Sequence, residues 1–205
     1  MTNSFIAIEG DFLNQVDEVF GAYKYVDTKT DSTFNDWNEF NHFLSENFFD
    51  FSNREIALRG IWFCNGWTII CDPETVDAVD EATLAELSES LKTRILAFII
   101  SETSGTFGYS VYESSVKRSF LVADHEVVAD DYSSLPEEKG LNINSNVFSN
   151  DIIRLAERFG VDISGNHAQV YTVKQLAYTE ELKKELQKFS QQVNTQESKP
   201  WWKFW

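Results

Sequence analysis

Residues 57–72, ALRGIWFCNGWTIICD, constrain the fold more than any other stretch of the chain. Two β-prone runs are joined by Asn65-Gly66, the dipeptide favoured in a type I′ hairpin turn, where both central residues need positive φ. That turn sets a register in which Cys64 faces Trp67, Phe63 faces Thr68, Trp62 faces Ile69, Ile61 faces Ile70, Gly60 faces Cys71 and Arg59 faces Asp72. Opposed residues share a face. Trp62, Cys64, Trp67, Ile69 and Cys71 therefore lie on one side, and Ile61, Phe63 and Ile70 on the other. Both sides are apolar. Such a hairpin belongs inside a sheet that is covered above and below.

A chain of 205 residues can bury roughly 70 % of its unfolded surface, enough for one sizeable core. Around the hairpin, apolar periodicity predicts a strand over 4–10 and helices over 11–23 and 33–49, the second with Phe34, Trp37, Phe40, Phe43 and Leu44 on one stripe. Pro73 ends the hairpin, because proline cannot donate to a ladder. A helix over 80–94 buries Leu84, Leu87 and Leu91, and a strand over 95–101 follows. Residues 106–112 and 116–123 form a second hairpin, continued by 127–130. With Ser114-Ser115 as its turn, Phe107, Tyr109, Val111, Val116, Phe120 and Val122 share an apolar face, and Ser110, Tyr112, Lys117 and Ser119 a wet one. Residues 131–149 read as a loop, 150–160 as a helix ended by Gly160, 167–173 as a strand and 179–193 as a final helix. The expected class is α+β: a largely antiparallel sheet of hairpins and meander with helices packed on it. One domain covers residues 1–178, and residues 179–205 supply a C-terminal helix and a flexible Trp-rich tail.

The chain has 33 acidic and 17 basic residues, a formal net charge of −16. Residues 1–150 hold 26 acids and 9 bases, whereas residues 151–205 hold 7 acids and 8 bases. Affinity for nucleic acid comes largely from cations that displace counterions, so this acidic field argues against direct nucleic-acid binding. It attracts basic proteins and speeds their association. Its plainer reading is a solubilising coat. No apolar run is long enough for a spanning helix, and MTNSFIAIEGDF lacks the basic and apolar segments of a secretory signal.

Motifs for chemistry are sparse. In the hairpin register Cys64 and Cys71 stand about 13 Å apart along the sheet, beyond the roughly 7 Å reach of a disulfide. Two unbridged cysteines suit a reducing cytoplasm, where they pack as small apolar groups. Asp124, His125, Glu126, Asp130 and Asp131 offer metal-ligand atoms, but neighbouring strand residues point to opposite faces, so an exposed turn is expected. His42 and His167 read as structural histidines, without HExxH or related spacing. Ser101 to Thr106, SETSGT, lacks a phosphate-loop pattern, and no GxSxG or CxxC occurs. No metal and no cofactor are expected. Arg118 falls on the apolar face beside Val111 and needs either a carboxylate partner, for which Glu102 and Glu113 are candidates, or a rim position.

The last five residues hold Trp201, Trp202, Phe204 and Trp205, beside Lys199 and Lys203. Tryptophan with lysine suits a membrane interface. The same rings could fill a groove on a partner or dock on the protein's own body.

The series Gly66-Trp67-Thr68, Asp72-Pro73, Glu102 to Tyr109 (ETSGTFGY), Arg118 and Leu135 to Glu138 (LPEE) resembles a loose group of uncharacterised bacterial proteins over roughly residues 60–160. The resemblance implies a bacterial, cytoplasmic α+β protein and no catalytic residue. Asp124-His125 departs from it, where such sequences often carry an Asp-Gly-like turn, and the tail lies outside it. The expected function is a non-enzymatic, acidic interaction module that binds a basic partner in the manner of an immunity protein or antitoxin. Trp201, Trp202, Phe204, Trp205, Arg118 and Glu102 are its expected contact residues. The alternatives are an enzyme with its site near residues 101–106 and Arg118, and a peripheral membrane adaptor held by the tail.

Overall fold

A computed structural model describes residues 2–165, 167 and 169–195. The aromatic anchor expected at Trp201, Trp202, Phe204 and Trp205 lies outside the described residues. The strands are β1 (Thr2–Glu9), β2 (Tyr25–Phe34), β3 (Ile56–Cys64), β4 (Trp67–Asp72), β5 (Ile95–Ser101), β6 (Thr106–Tyr112), β7 (Val116–Ala123), β8 (Glu126–Asp131) and β9 (Tyr171–Tyr178). The helices are α1 (Val16–Ala22), α2 (Trp37–Ser52), α3 (Glu81–Leu91), α4 (Ser149–Arg158) and α5 (Glu180–Thr195). The strands form one antiparallel sheet in the order β2-β9-β3-β4-β1-β5-β6-β7-β8. The α+β class, the antiparallel sheet and the C-terminal helix agree with the sequence reading.

The central hairpin has the expected register from Cys64 opposite Trp67 to Gly60 opposite Cys71, and Asn65 and Gly66 both take positive φ. Its two apolar faces are covered except at Phe63, which lies beside the turn, beyond the covering helices, and is exposed. On one side Trp62, Cys64, Trp67, Ile69 and Cys71 join a core completed by Phe40 and Leu44 of α2 and by Ile152, Leu155 and Ala156 of α4. On the other, Ile61 and Ile70 meet Val16, Val19 and Phe20 of α1 and Leu84 and Leu87 of α3. Within the first core, Phe40 stacks on Tyr171 at 4.9 Å, and Trp37 and Trp62 meet both rings edge-on or tilted. Gly60 passes directly beneath this cluster, where a Cβ would enter the Phe40 ring.

Three local expectations are corrected. Residues 25–34 form a strand that periodicity does not announce: β2 is largely polar, and its ladder with β9 holds it in place despite a register shift between Asp27 and Asp31. That ladder takes Thr33 and Phe34 out of the expected second helix, which starts after Asp36, whose carboxylate accepts from the amides of Asn38 and Glu39. In the second hairpin the face expected to be wet is covered at Tyr112, which pairs with Ile95 in the core under α1 and α3, and a bulge sets Val116 opposite Tyr112 and turns it to that core. The last strand, expected over 167–173, lies over Tyr171–Tyr178 because β9 pairs with both β2 and β3.

Candidate functional site

Arg118 lies where its register puts it, opposite Val111. It is only 2 % exposed. Its guanidinium lies over both the Tyr109 and Phe120 rings, and Nε donates to Glu138 Oε1 at 2.9 Å and Nη1 to Asp130 Oδ1 at 2.7 Å. Nη1 also donates to the carbonyls of Ser119 and Asp131, clamping β8 to β7. Burial alone would raise the Glu138 carboxyl, but bonds from Arg118, Tyr109 and the Leu135 amide outweigh it and hold it below its ordinary value.

The expected partners of Arg118 are corrected by topology. Glu113 pairs with Arg94 instead, at 2.9 Å. Glu102 is in the exposed turn after β5, near Thr106, and Thr106 pairs with Ala123. Arg118 is five residues back along β7, about 17 Å away at strand spacing. The same distance separates Arg118 from the SETSGT turn, so the two parts of the expected enzymatic site do not converge. The Ser104 hydroxyl is hydrogen-bonded to the hydroxyls of Ser101 and Thr106 within that turn.

A second buried arginine was legible only as the partner of Asp72. Arg59 is fully buried, and Nε donates to Asp77 Oδ2 at 2.6 Å, Nη1 to Glu74 Oε2 at 2.7 Å and Nη2 to the Tyr25 hydroxyl at 3.1 Å. Asp72 Oδ1 lies 3.4 Å from Nη2, and Asp72 Oδ2 accepts from the amides of Val76 and Asp77. Burial pushes the Asp77 carboxyl up to about 6 against the opposing pull of Arg59. Glu74 links this network to a cleft of about 650 Å³ walled by Tyr25, Tyr178, Leu182 and Val76. Lys183 lines the same cleft, held by Glu55 at 2.8 Å.

The surface left over is acidic. Lys24, Lys29, Lys174, Lys183 and Arg94 are each engaged by carboxylates, whereas Lys92, Lys117, Lys139, Lys184 and Lys188 are exposed. β8 is an edge strand paired to β7 alone, so its outer backbone groups are free of ladder bonds. Along it Val127 and Val128 are exposed between Glu126 and the pair Asp130 and Asp131, with Tyr132 beyond. The turn before it holds Asp124 and His125, both at positive φ. Asp124, His125 and Glu126 do not converge on a metal position. The one convergence of thiol, imidazole and carboxylate donors among the described residues joins Cys64 to Asp162 and His167, partners 98 and 103 residues further along the chain. Spacing alone carries no signal for it.

No family model matches the chain, and no curated protein and no solved structure matches it.

Proposed function

We propose that the protein is an acidic interaction module that binds a basic protein partner along β8, as an immunity protein or antitoxin binds its target. The observation that carries this reading is the edge itself. An unpaired strand offers backbone donors and acceptors to an added strand. Here the edge also presents exposed valines flanked by Glu126, Asp130 and Asp131. Negative charge on an edge also discourages pairing with copies of the same acidic chain. A basic strand meets no such repulsion, and the surrounding field speeds its approach. Two free, buried cysteines, Cys64 and Cys71, support a reducing cytoplasmic setting. No helix among the described residues is long and apolar enough to cross a membrane.

The test is capture from a bacterial lysate at low and at high salt, with the wild-type chain beside a Glu126→Lys/Asp131→Lys variant. Asp130 is left intact because it supports Arg118. A stoichiometric basic partner that is held at low salt, released at high salt and lost by the variant is expected. Reversing the edge should slow association by about tenfold or more. A partner retained by the variant, or none at any salt, overturns the proposal.

A further inference from the structure

Cys64 is the last residue of β3, fixed at the mouth of the Asn65-Gly66 turn. Asp162 and His167 come from the segment between α4 and β9. One donor atom from each of the three lies within 4.8 Å of the other two. Cys64 and Asp162 are buried, while the His167 side chain is 53 % exposed, so the group opens to solvent on one side.

The carboxylate and the His167 backbone are held from behind. Asp162 Oδ1 accepts from the Ser164 amide and hydroxyl, both at 3.0 Å. Oδ2 accepts from the His167 amide at 3.1 Å and lies 2.6 Å from Nδ1 of the same residue. The His167 carbonyl accepts from the Tyr171 hydroxyl at 3.2 Å, which ties the segment to β9. At Gly165 the backbone takes positive φ and lies against the Trp37 indole so closely that any side chain would collide with it. Gly165 therefore seats its neighbours against the aromatic cluster, and Asp162 and His167 face the last residue of β3. Metal ligands are oriented in this way, by a second set of hydrogen bonds behind the donors.

We propose that Cys64, Asp162 and His167 bind a divalent transition-metal ion of the zinc class, with a fourth position open to solvent beside His167. The donor set selects the ion. Thiolate with imidazole suits zinc and its neighbours, whereas magnesium and calcium take oxygen ligands. Bonds of about 2.0–2.3 Å in a tetrahedron place donors roughly 3.3–3.8 Å apart, so the His167 Nδ1 and Asp162 Oδ2 pair, now at 2.6 Å, opens to admit the ion while Cys64 closes on it. The metal takes the place of the proton between His167 Nδ1 and Asp162 Oδ2, which passes to solvent and leaves a neutral imidazole with its N–H at Nε2, and the Cys64 thiol also releases its proton to solvent as the sulfur–metal bond forms. Three protein ligands and one open position is the pattern of zinc sites that accept an exogenous water or ligand. This inference is independent of the acidic edge: the two sites share no residue.

The experiment titrates the purified full chain with Co²⁺ as the spectroscopic probe and then adds Zn²⁺. One Co²⁺ per chain is expected, with thiolate-to-cobalt charge-transfer absorption in the near ultraviolet, displaced by Zn²⁺. Cys64→Ser should abolish that absorption and Cys71→Ser should keep it. His167→Gln alters an exposed side chain, so circular dichroism should show an unchanged fold while Co²⁺ affinity falls at least about tenfold. Three results overturn the proposal: no saturable binding, binding without charge-transfer absorption, or absorption that survives both Cys64→Ser and His167→Gln.

Discussion

Replacing Arg59 by Met keeps most of the side-chain volume and removes one charge from the most enclosed network in the protein. The arginine is flanked by Asp77 at 2.6 Å, Glu74 at 2.7 Å and Asp72 at 3.4 Å, all on a side chain with no solvent exposure. Without it, Asp77 retains the Tyr25 hydroxyl and Asp72 retains its backbone amides, but no cation balances either carboxylate. Removing one member of a buried ion pair costs about 3–5 kcal/mol, a large share of the roughly 5–15 kcal/mol that holds a domain folded. For a chain of this size that lowers Tm by about 6–20 °C. The pH dependence separates this cause from lost packing. Asp77 has its folded pKa raised to about 6 from an ordinary 3.8, so it binds its proton more tightly folded than unfolded. Its stabilising contribution is fully present below the ordinary value and is lost as pH rises through the folded one. Losing Arg59 removes the group that opposes this shift, so the folded pKa climbs further and acid relieves the variant more than the wild type. If proton affinity at Asp77 rises roughly tenfold to hundredfold, the gap narrows by about 1–3 kcal/mol between about pH 8 and about pH 5. Urea unfolding followed by circular dichroism at both pH values measures it. A loss under about 1 kcal/mol, or a gap equal at both pH values, would refute the reasoning.

Arg118→Met should destabilise by about 3 kcal/mol, because Glu138 is left buried without its cation. Hydrogen exchange should accelerate in β8 before the rest of the sheet, since Arg118 clamps the Asp130 carboxylate and the Asp131 carbonyl, and uniform acceleration would contradict that role. Gly60→Ala should cost about 1–3 kcal/mol by forcing a methyl group into the Phe40 ring. Phe40→Leu in that background should return part of the loss, and a double variant no more stable than expected from adding the two single losses would count against the contact.

The parts of the fold legible in sequence are those governed by neighbours a few residues away. Asn65-Gly66 set the hairpin register and with it the two core faces, because the turn chemistry is local and the side-chain period of a strand is two. Gly160 takes the positive φ expected at the end of α4 for the same kind of reason. Arg118 was visible as a charge on an apolar face, and the structure decided between burial and a rim position. Its partners were not visible, because Glu138 and Asp130 are brought in by a loop and by the fold-back of β8. β2 was missed because a polar edge strand carries no apolar alternation, and its pairing with β9 joins residues about 140–150 apart.

The sequence by itself determined an antiparallel sheet covered on both faces, two unbridged cysteines and an acidic exterior, since alternation, turn residues and charge act over short range or as sums. Tertiary structure decided which strand forms the exposed acidic edge, which carboxylates surround Arg59 and Arg118, and that a thiol at residue 64 meets donors at residues 162 and 167. Those outcomes depend on strand order and on loops crossing the sheet ends. Both are set by the simultaneous burial of two apolar faces, a condition on the whole chain that no short stretch contains.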